Sequence, residues 1–596
     1  MSQTCIIAET AFNHMGNTDY IKRLITECSH INIKKITFQI IDPDDFALRD
    51  YSKYDFSKIV YIEQTKWEEI YNFCNEKSIE FIPCFLDLLS FNRLKHLKFE
   101  HIKIHSTDLF NINLIKQICN YNPSKIIVET QVCNLHEIEI ALKQFDSCSS
   151  ELILFHGFSD YPTKYEDQNL NMLTYLKERF KLKVGFADHT LSTDVVPLMA
   201  IAAGADYIEK HITIKRREDD FDSKVSLQIE EFSMMLKNIY DYEPVIGDSI
   251  KYPVENELKY KSIIHKKPIL ARGKNKSEIV TEEDLLFKRA NYGIPAGYKY
   301  CYINKKLKNN KKCNEILDYH DFVREKLVIC LVARLKSQRL HEKVLRQING
   351  KSLIEILIQR LRKVSPNIEV VLATSFLPED RPLAQICEKI GIEVYLGDPL
   401  NVLDRLINIC ENKNADGVIR VTGDNVLTDF KLTSLMVDEF LKNDEIEYIR
   451  TNNLPLGISP EIFSLQLLYK IYDNMGNPNT SEYLTIYANI PEKYNVGVIK
   501  LNNKYNKFNN HLSVDTIDDF NYVCKISQYN NNNLVDLDIE KITEYLSKNP
   551  VNEEEVMNKR FKLPNGISLT YKDFCKELND KELASKVFDY QDRCFL

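Results

Sequence analysis

Lys183-Val184-Gly185-Phe186-Ala187-Asp188-His189-Thr190 and Tyr207-Ile208-Glu209-Lys210-His211-Ile212 decide the fold. Each is a short apolar run closed by a histidine, and the two histidines stand 22 positions apart. Runs of this length and composition read as strands buried on both faces. Six more precede them: Cys5–Glu9, Lys35–Ile40, Glu80–Phe85, His101–His105, Lys125–Glu129 and Leu152–His156. Amphipathic helical stretches such as Trp67–Lys77 and Leu135–Gln144 lie between. Eight βα units predict a TIM barrel, whose chemistry sits at the C-terminal ends of the strands. The polar residues that end the runs are therefore rim residues. Two imidazoles on neighbouring strand ends can hold a divalent metal with open coordination positions. By spacing alone they serve equally well as hydrogen-bonded structural histidines.

At 596 residues the chain is too long for one core. With 44% apolar and 28% charged residues it is of the ordinary globular class. A net charge of -8 speaks against a general nucleic-acid or membrane-surface binder, so any phosphate site is local. No apolar run is long enough to span a bilayer, and Met1 to Thr10 has no signal-peptide pattern, which predicts a cytoplasmic protein. Fifteen cysteines without a C-x-x-C pair predict buried free thiols.

Four segments are expected: a barrel over 1–255, a compact module over 256–322, a second α/β domain over 323–549, and a helical appendage over 550–596. The second domain opens on the strand Leu327-Val328-Ile329-Cys330-Leu331-Val332. Further strands near Glu369–Ala373, Glu393–Leu396 and Gly417–Thr422 predict an open, doubly wound, Rossmann-like sheet. After the first of them comes a basic segment, Ala333-Arg334-Leu335-Lys336-Ser337-Gln338-Arg339-Leu340, ending at Lys343. A cationic loop after a strand suits nucleoside phosphates, although a solvated charged loop has the same composition. Asp424 and Asp515 each follow a predicted strand, and two such carboxylates beside a triphosphate are what Mg²⁺ needs.

Ile7-Ala8-Glu9-Thr10-Ala11-Phe12-Asn13-His14-Met15-Gly16, Phe38-Gln39, Lys103-Ile104-His105-Ser106-Thr107-Asp108, Ser159-Asp160-Tyr161-Pro162 and the two histidine motifs resemble, in order, the sialic acid synthase family. Residues 261–322, with Lys288-Arg289 and Gly293-Ile294, resemble that family's antifreeze-like (SAF) domain. The resemblance implies condensation of phosphoenolpyruvate with an N-acetylated hexosamine to a 2-keto sugar acid. It implies that His189 and His211 hold Mn²⁺ or Mg²⁺ and that Glu9 orients the sugar. Gln39, Ser159, Tyr161 and Asp222 would line the substrate site, and Lys103 and Ser106 would bind phosphoenolpyruvate. Arg289 would reach into a partner's site in a homodimer with swapped SAF domains. Four positions depart from the family: Thr37 for a lysine, Cys84 in a Thr-Pro-Phe stretch, Glu129-Thr130-Gln131 for Ser-Thr-Gly, and Ala187 for a serine. Each lost residue is one that touches the phosphate or carboxylate of phosphoenolpyruvate.

The basic segment, Gly350-Lys351-Ser352-Leu353, Arg420-Val421-Thr422-Gly423-Asp424 and Ser513-Val514-Asp515-Thr516 resemble cytidylyltransferases of the spore-coat-polysaccharide type. By that resemblance Arg334, Ser337, Arg339 and Lys343 bind the CTP phosphates, and Asp424 and Asp515 hold Mg²⁺. Here the departures are Lys336, His341 and Glu342, where the family carries glycines and a proline, and Ser481-Glu482-Tyr483 for Arg-Glu-His. Together the two resemblances imply a bifunctional enzyme that makes a nonulosonic acid and attaches CMP to it. The alternative is a barrel that is a scaffold, or uses another donor, beside an active transferase.

Overall fold

The computed structural model describes residues 4–216, 222–247, 251, 253–336, 340, 342–476, 478–505, 511–550, 560–562 and 568–590. Ser337, Arg339 and His341 lie outside them. The chain divides into two compact units, 1–249 and 250–596.

In the first unit eight parallel strands close on themselves: β1 Cys5–Glu9, β2 Lys35–Ile40, β3 Glu80–Phe85, β4 His101–Ile104, β5 Lys125–Glu129, β6 Glu151–Gly157, β7 Lys183–Asp188 and β8 Tyr207–Thr213, with β8 pairing back onto β1. This is the expected barrel, strand for strand. Alternation along each strand sorts side chains between two cores. Ile7, Ile82, Ile127, Ile153, Phe155, Ala187 and Tyr207 fill the inside. Ala8, Phe38, Phe81, Ile102, Leu154, Phe186 and Ile208 meet the surrounding helices. Gly185 is needed because Phe155 occupies the interior: a Cβ there would lie 2.4 Å from the ring. The same parity turns Glu9, Thr37, Lys103, Glu129, His189, Glu209 and His211 inward.

The second unit holds an eight-stranded sheet in the order Glu393–Gly397, Val370–Ser375, Leu327–Val332, Gly417–Thr422, Glu461–Ser464, Tyr448–Thr451, Val496–Leu501, Lys586–Tyr590. Only Glu461–Ser464 runs antiparallel to its neighbours. Strand order reverses beside Leu327–Val332, and the crevice at such a switch point is where open α/β sheets bind ligands. The expected helical appendage is corrected here: its helix Tyr571–Glu582 is followed by a strand, Lys586–Tyr590, that adds to the sheet edge. Phe588 and Tyr590 pack on the core and supply the reason.

The module between barrel and sheet pairs Lys266–Leu270 with Leu285–Arg289. It is packed onto the sheet domain and shares one apolar core with it: Leu270, Val280, Tyr302 and Leu317 cluster with Val328, Cys330, Leu403 and Leu468. Tyr298 stacks on Tyr469 at 4.3 Å and 10° and donates to Asp473, which also pairs with Lys261 at 2.7 Å. Lys305 reaches Asp416 at 2.7 Å. Arg324 donates to the carbonyls of Phe440, Asp444 and Ile446.

Candidate active sites

Three carboxylates converge on one ammonium at the C-terminal end of the barrel. Lys103 Nζ lies 2.8 Å from Glu9, 2.7 Å from Glu129 and 2.6 Å from Glu209. All four side chains are at most 4% exposed. Glu9 is further fixed by the amide of Ala11, which donates to Oε1 at 2.8 Å. Thr37 donates to Glu209 at 3.3 Å. Burial alone would lower the Lys103 pKa, but the three carboxylates outweigh it and hold the ammonium well above its usual range. Burial would raise Glu129, yet Lys103 above all keeps it below the carboxylate norm. Glu209 goes the other way: burial, reinforced by Glu9 and Glu129, pushes it up to about 8 against the pull of Lys103.

That shift has a sign. A carboxyl whose folded pKa is raised binds its proton more tightly in the native state. The stability it confers is whole below the unfolded value near 4.5 and is lost as pH rises to about 8. Glu209→Gln, which mimics the protonated form, is expected to gain urea midpoint over the wild type between pH 5 and 8 and hold that gain above. A gain independent of pH would contradict the assignment.

Beside this cluster the His189 and His211 rings meet edge to face at 5.1 Å, and the Tyr161 ring lies 4.5 Å from that of His189. His189 Nδ1 donates to the Phe158 carbonyl at 2.5 Å, which leaves Nε2 for a ligand. His211 Nδ1 is buried without a hydrogen-bond partner, 3.8 Å from Asp222. Burial keeps both imidazoles neutral, lowering His189 and, with help from the neighbouring His189 and Lys103, lowering His211 strongly. Neutral, partly unsatisfied imidazoles are the form a divalent cation binds, so the donor set fits one. Burial and Glu9 raise Asp222 to about 7.

The parity that turns the histidines inward puts Asp188 and Lys210 outside, paired in the β7–β8 register. They form an ion pair at 2.7 Å with neither side chain exposed. Asp188 also accepts from the Thr190 amide and hydroxyl at 2.9 and 2.8 Å, fixing the turn that carries His189. Asp188→Asn leaves a buried ammonium without its counter-charge, and a loss of about 3 kcal/mol in urea unfolding is expected. A loss below about 1 kcal/mol would show that the pair contributes little.

Of the other expected rim residues, Ser106 is buried at the start of a short 3₁₀ turn, Gln39 is half-buried at the end of β2, and Ser159 is exposed. Arg289 belongs to the second unit and is exposed at the end of its strand. Glu209 was missed as a site residue by sequence reasoning, although it stands two positions before His211 and so shares its face. Glu129 turns into the site.

In the second unit Lys343 Nζ bridges Asp424 at 2.7 Å and Asp515 at 2.9 Å. Burial would raise Asp424, but Lys343 and a hydrogen bond from Thr422 hold it below the usual range. Gly423 lets its turn approach the loop after Leu327–Val332: a Cβ there would come within 2.7 Å of Ala333. Asp515 was expected to end a strand. It lies instead in a loop, held by Val514 N donating to the Asp424 carbonyl at 3.0 Å. Arg334 donates to the Pro399 carbonyl at 2.7 Å, and Asp380 accepts from the Leu335 amide at 2.6 Å. Glu342 adopts φ +49, the left-handed region that favours the glycine of the resembled family. Glu461 is tied down by Arg420 and Thr485, both at 2.7 Å. Two acidic groups sharing one ammonium at a switch point fit Mg²⁺ and phosphate.

The NeuB family profile matches residues 24–251, and the cytidylyltransferase profile matches residues 328–551. An uncharacterized protein of Methanocaldococcus jannaschii is 31% identical over 54% of this chain and 95% of its own length. The N,N'-diacetyllegionaminic acid synthase of Legionella pneumophila is 30% identical over 49% of this chain and 87% of its own. The spore coat polysaccharide biosynthesis protein SpsF of Bacillus subtilis is 30% identical over 34% of this chain and 86% of its own. With a closed barrel carrying one constellation and a doubly wound sheet carrying the other, the chain belongs to the NeuB family through its N-terminal unit and to the cytidylyltransferase family through its C-terminal sheet.

Proposed function

We propose that the chain performs two consecutive reactions: condensation of phosphoenolpyruvate with an N-acetylated hexosamine to a 2-keto sugar acid, and transfer of CMP from CTP to that acid's anomeric hydroxyl with release of pyrophosphate. The observation that carries this reading is the presence on one chain of the His189–His211 rim beside Lys103 and of the Asp424–Lys343–Asp515 cluster. Relatives named as legionaminic and pseudaminic acid synthases support a nine-carbon acid as product.

In the barrel, a divalent cation held by His189 and His211 would supply Lewis-acid polarisation of a carbonyl. Glu9, oriented by Ala11 N and Lys103, holds a sugar hydroxyl. Lys103, the ammonium among the described residues of the cluster, meets the donor's carboxylate, and Ser106 is the second residue that binds the donor. Asp222, with a pKa near 7, can exchange a proton at working pH. Tyr161 closes over the imidazoles. In the transferase the sugar hydroxyl attacks the α-phosphorus and pyrophosphate leaves. Lys343, Arg334 and the basic loop with Ser337 and Arg339 gather the phosphates, and Asp424 with Asp515 would hold Mg²⁺. A second copy of the chain would bring Arg289 to the barrel. No helix among the described residues is long and apolar enough to cross a membrane, which suits work on small polar substrates in the cytoplasm.

The test supplies phosphoenolpyruvate, Mn²⁺ and a panel of N-acetylhexosamines and follows phosphate release. No turnover across the panel removes the condensing half. A scaffold role for the barrel is favoured by one observation, the three carboxylates against a single lysine. Failure of the barrel to bind Mn²⁺ would decide for it.

A further inference from the structure

At the end of β5 the resembled synthases carry Ser-Thr-Gly and this chain carries Glu129-Thr130-Gln131. Glu129 and Gln131 are each 3% exposed. Glu129 Oε1 faces Lys103, while Oε2 is buried and accepts no hydrogen bond, with His105 Nε2 at 3.5 Å. Gln131 Oε1 is buried and without a donor as well. Its amide lies across the end of β6, where a Cβ on Gly157 would stand 3.3 Å from Nε2. Buried acceptors without donors are rare, and two of them two residues apart at the end of one strand mark a place where a ligand brings the donors.

Charge points the same way. Glu9 and Glu129 against Lys103 leave one net negative charge in a buried pocket, and Glu209 adds a second as it ionises near pH 8. Opposite-sign interactions in such a pocket are strong, and like-sign ones equally so. A phosphate dianion placed at β5 meets Glu129 first. Thr37 on β2 stands where the resembled family has a lysine, and Ala187 on β7 where it has a serine, so neither position adds a phosphate partner to the rim. A neutral polyol meets no such penalty, and its hydroxyl and amide hydrogens match the vacant lone pairs.

We propose that Glu129 and Gln131 form a subsite for hydroxyl or amide N–H donors of an uncharged N-acylhexosamine, and that the end of β5 is not a seat for phosphate. The proposal rests on the reading of the barrel as a condensing site. It makes Glu129 and Gln131 specificity residues and requires that the donor's phosphate, where it has one, be held away from β5.

The experiment is isothermal titration of the full chain, its nucleotide site saturated with CTP and Mg²⁺, using N-acetylmannosamine, N-acetylglucosamine and inorganic phosphate as probes. The wild type is expected to bind at least one sugar and no phosphate beyond the CTP-blocked site. Glu129→Ser and Gln131→Leu are each expected to weaken the sugar tenfold or more. Gln131→Leu leaves the lysine cluster untouched, so it remains informative if Glu129→Ser folds poorly. The double variant Thr37→Lys/Glu129→Ser is expected to gain phosphate binding. Sugar affinity unchanged in Gln131→Leu, or phosphate uptake by the wild type that Glu129→Ser does not strengthen, overturns the subsite. If neither sugar binds the wild type while phosphate is still released from phosphoenolpyruvate in turnover, the subsite alone falls. If release is absent too, the condensing reading falls with it.

Discussion

Asp424→Ala is expected to cut CTP-dependent pyrophosphate release at least a thousandfold, about 4 kcal/mol of transition-state stabilisation. Its carboxylate sits on the turn after Gly417–Thr422, at the switch point of the sheet. It shares Lys343 with Asp515, and its carbonyl receives the amide of Val514, so the loop that brings Asp515 is docked on Asp424's own backbone. Removing the side chain leaves that backbone contact in place. Lys343 then has Asp515 alone, and a divalent cation has one carboxylate where two were arranged. The loss is therefore chemical rather than structural. Asp424→Asn should cost nearly as much, because the amide has the shape but not the charge. Pyrophosphate release within tenfold of wild type in either variant would take Asp424 out of the proposed metal site. The barrel lies in the other compact unit, so phosphate release from phosphoenolpyruvate serves as an internal control for folding.

The barrel was legible because its strands are buried on both faces and end in polar residues, a local pattern that needs no knowledge of partners. What the pattern did not reveal were pairings across the chain. Glu209 was visible in the motif with His211, but its role depends on Lys103, 106 positions away. The module's docking depends on Tyr298 meeting Tyr469 and Asp473, and nothing near Tyr298 in the sequence announces either. The strand Lys586–Tyr590 hides in a charged tail because an edge strand buries only one side, here Phe588 and Tyr590. Asp515 was found by its motif, yet the strand supposed to carry it is a loop, since backbone donors from Val514 go to Asp424 rather than to a neighbouring strand. In the loop after Leu327–Val332, Glu342 shows what a departure from the family means: the backbone has kept the left-handed turn while the sequence has given up the glycine. Glu342→Gly should accordingly be neutral or mildly stabilising.

Lys103→Met is expected to cost the barrel about 4 to 5 kcal/mol in urea unfolding at pH 7.5, the largest stability effect in the first unit. The methionine keeps the volume of the lysine stem, so packing is not what is lost. What remains is Glu9, Glu129 and Glu209, together and almost fully buried, with no ammonium among them. The three oxygens lie within 2.8 Å of one point and so within about 5.6 Å of one another, where each ionised pair costs about 3 kcal/mol or more at an effective permittivity near 20. The cluster therefore relieves itself by taking up protons. In the wild type Lys103 keeps Glu129 ionised, whereas in the variant the carboxyl groups shift upward with Glu209. Folded pKa values above the unfolded ones mean stability that returns as pH falls toward 5, so the deficit of Lys103→Met should shrink on acidification. Lys103→Met/Glu129→Gln/Glu209→Gln should recover most of the loss at pH 7.5, because replacing a buried charge cluster outright is far cheaper than removing one member of it. A Lys103→Met barrel within 1 kcal/mol of wild type, or a deficit that deepens in acid, would show that the three carboxylates do not depend on this lysine. The carboxylates would then need a different source of positive charge, and the His189–His211 pair beside them does not supply it, because burial lowers both imidazoles.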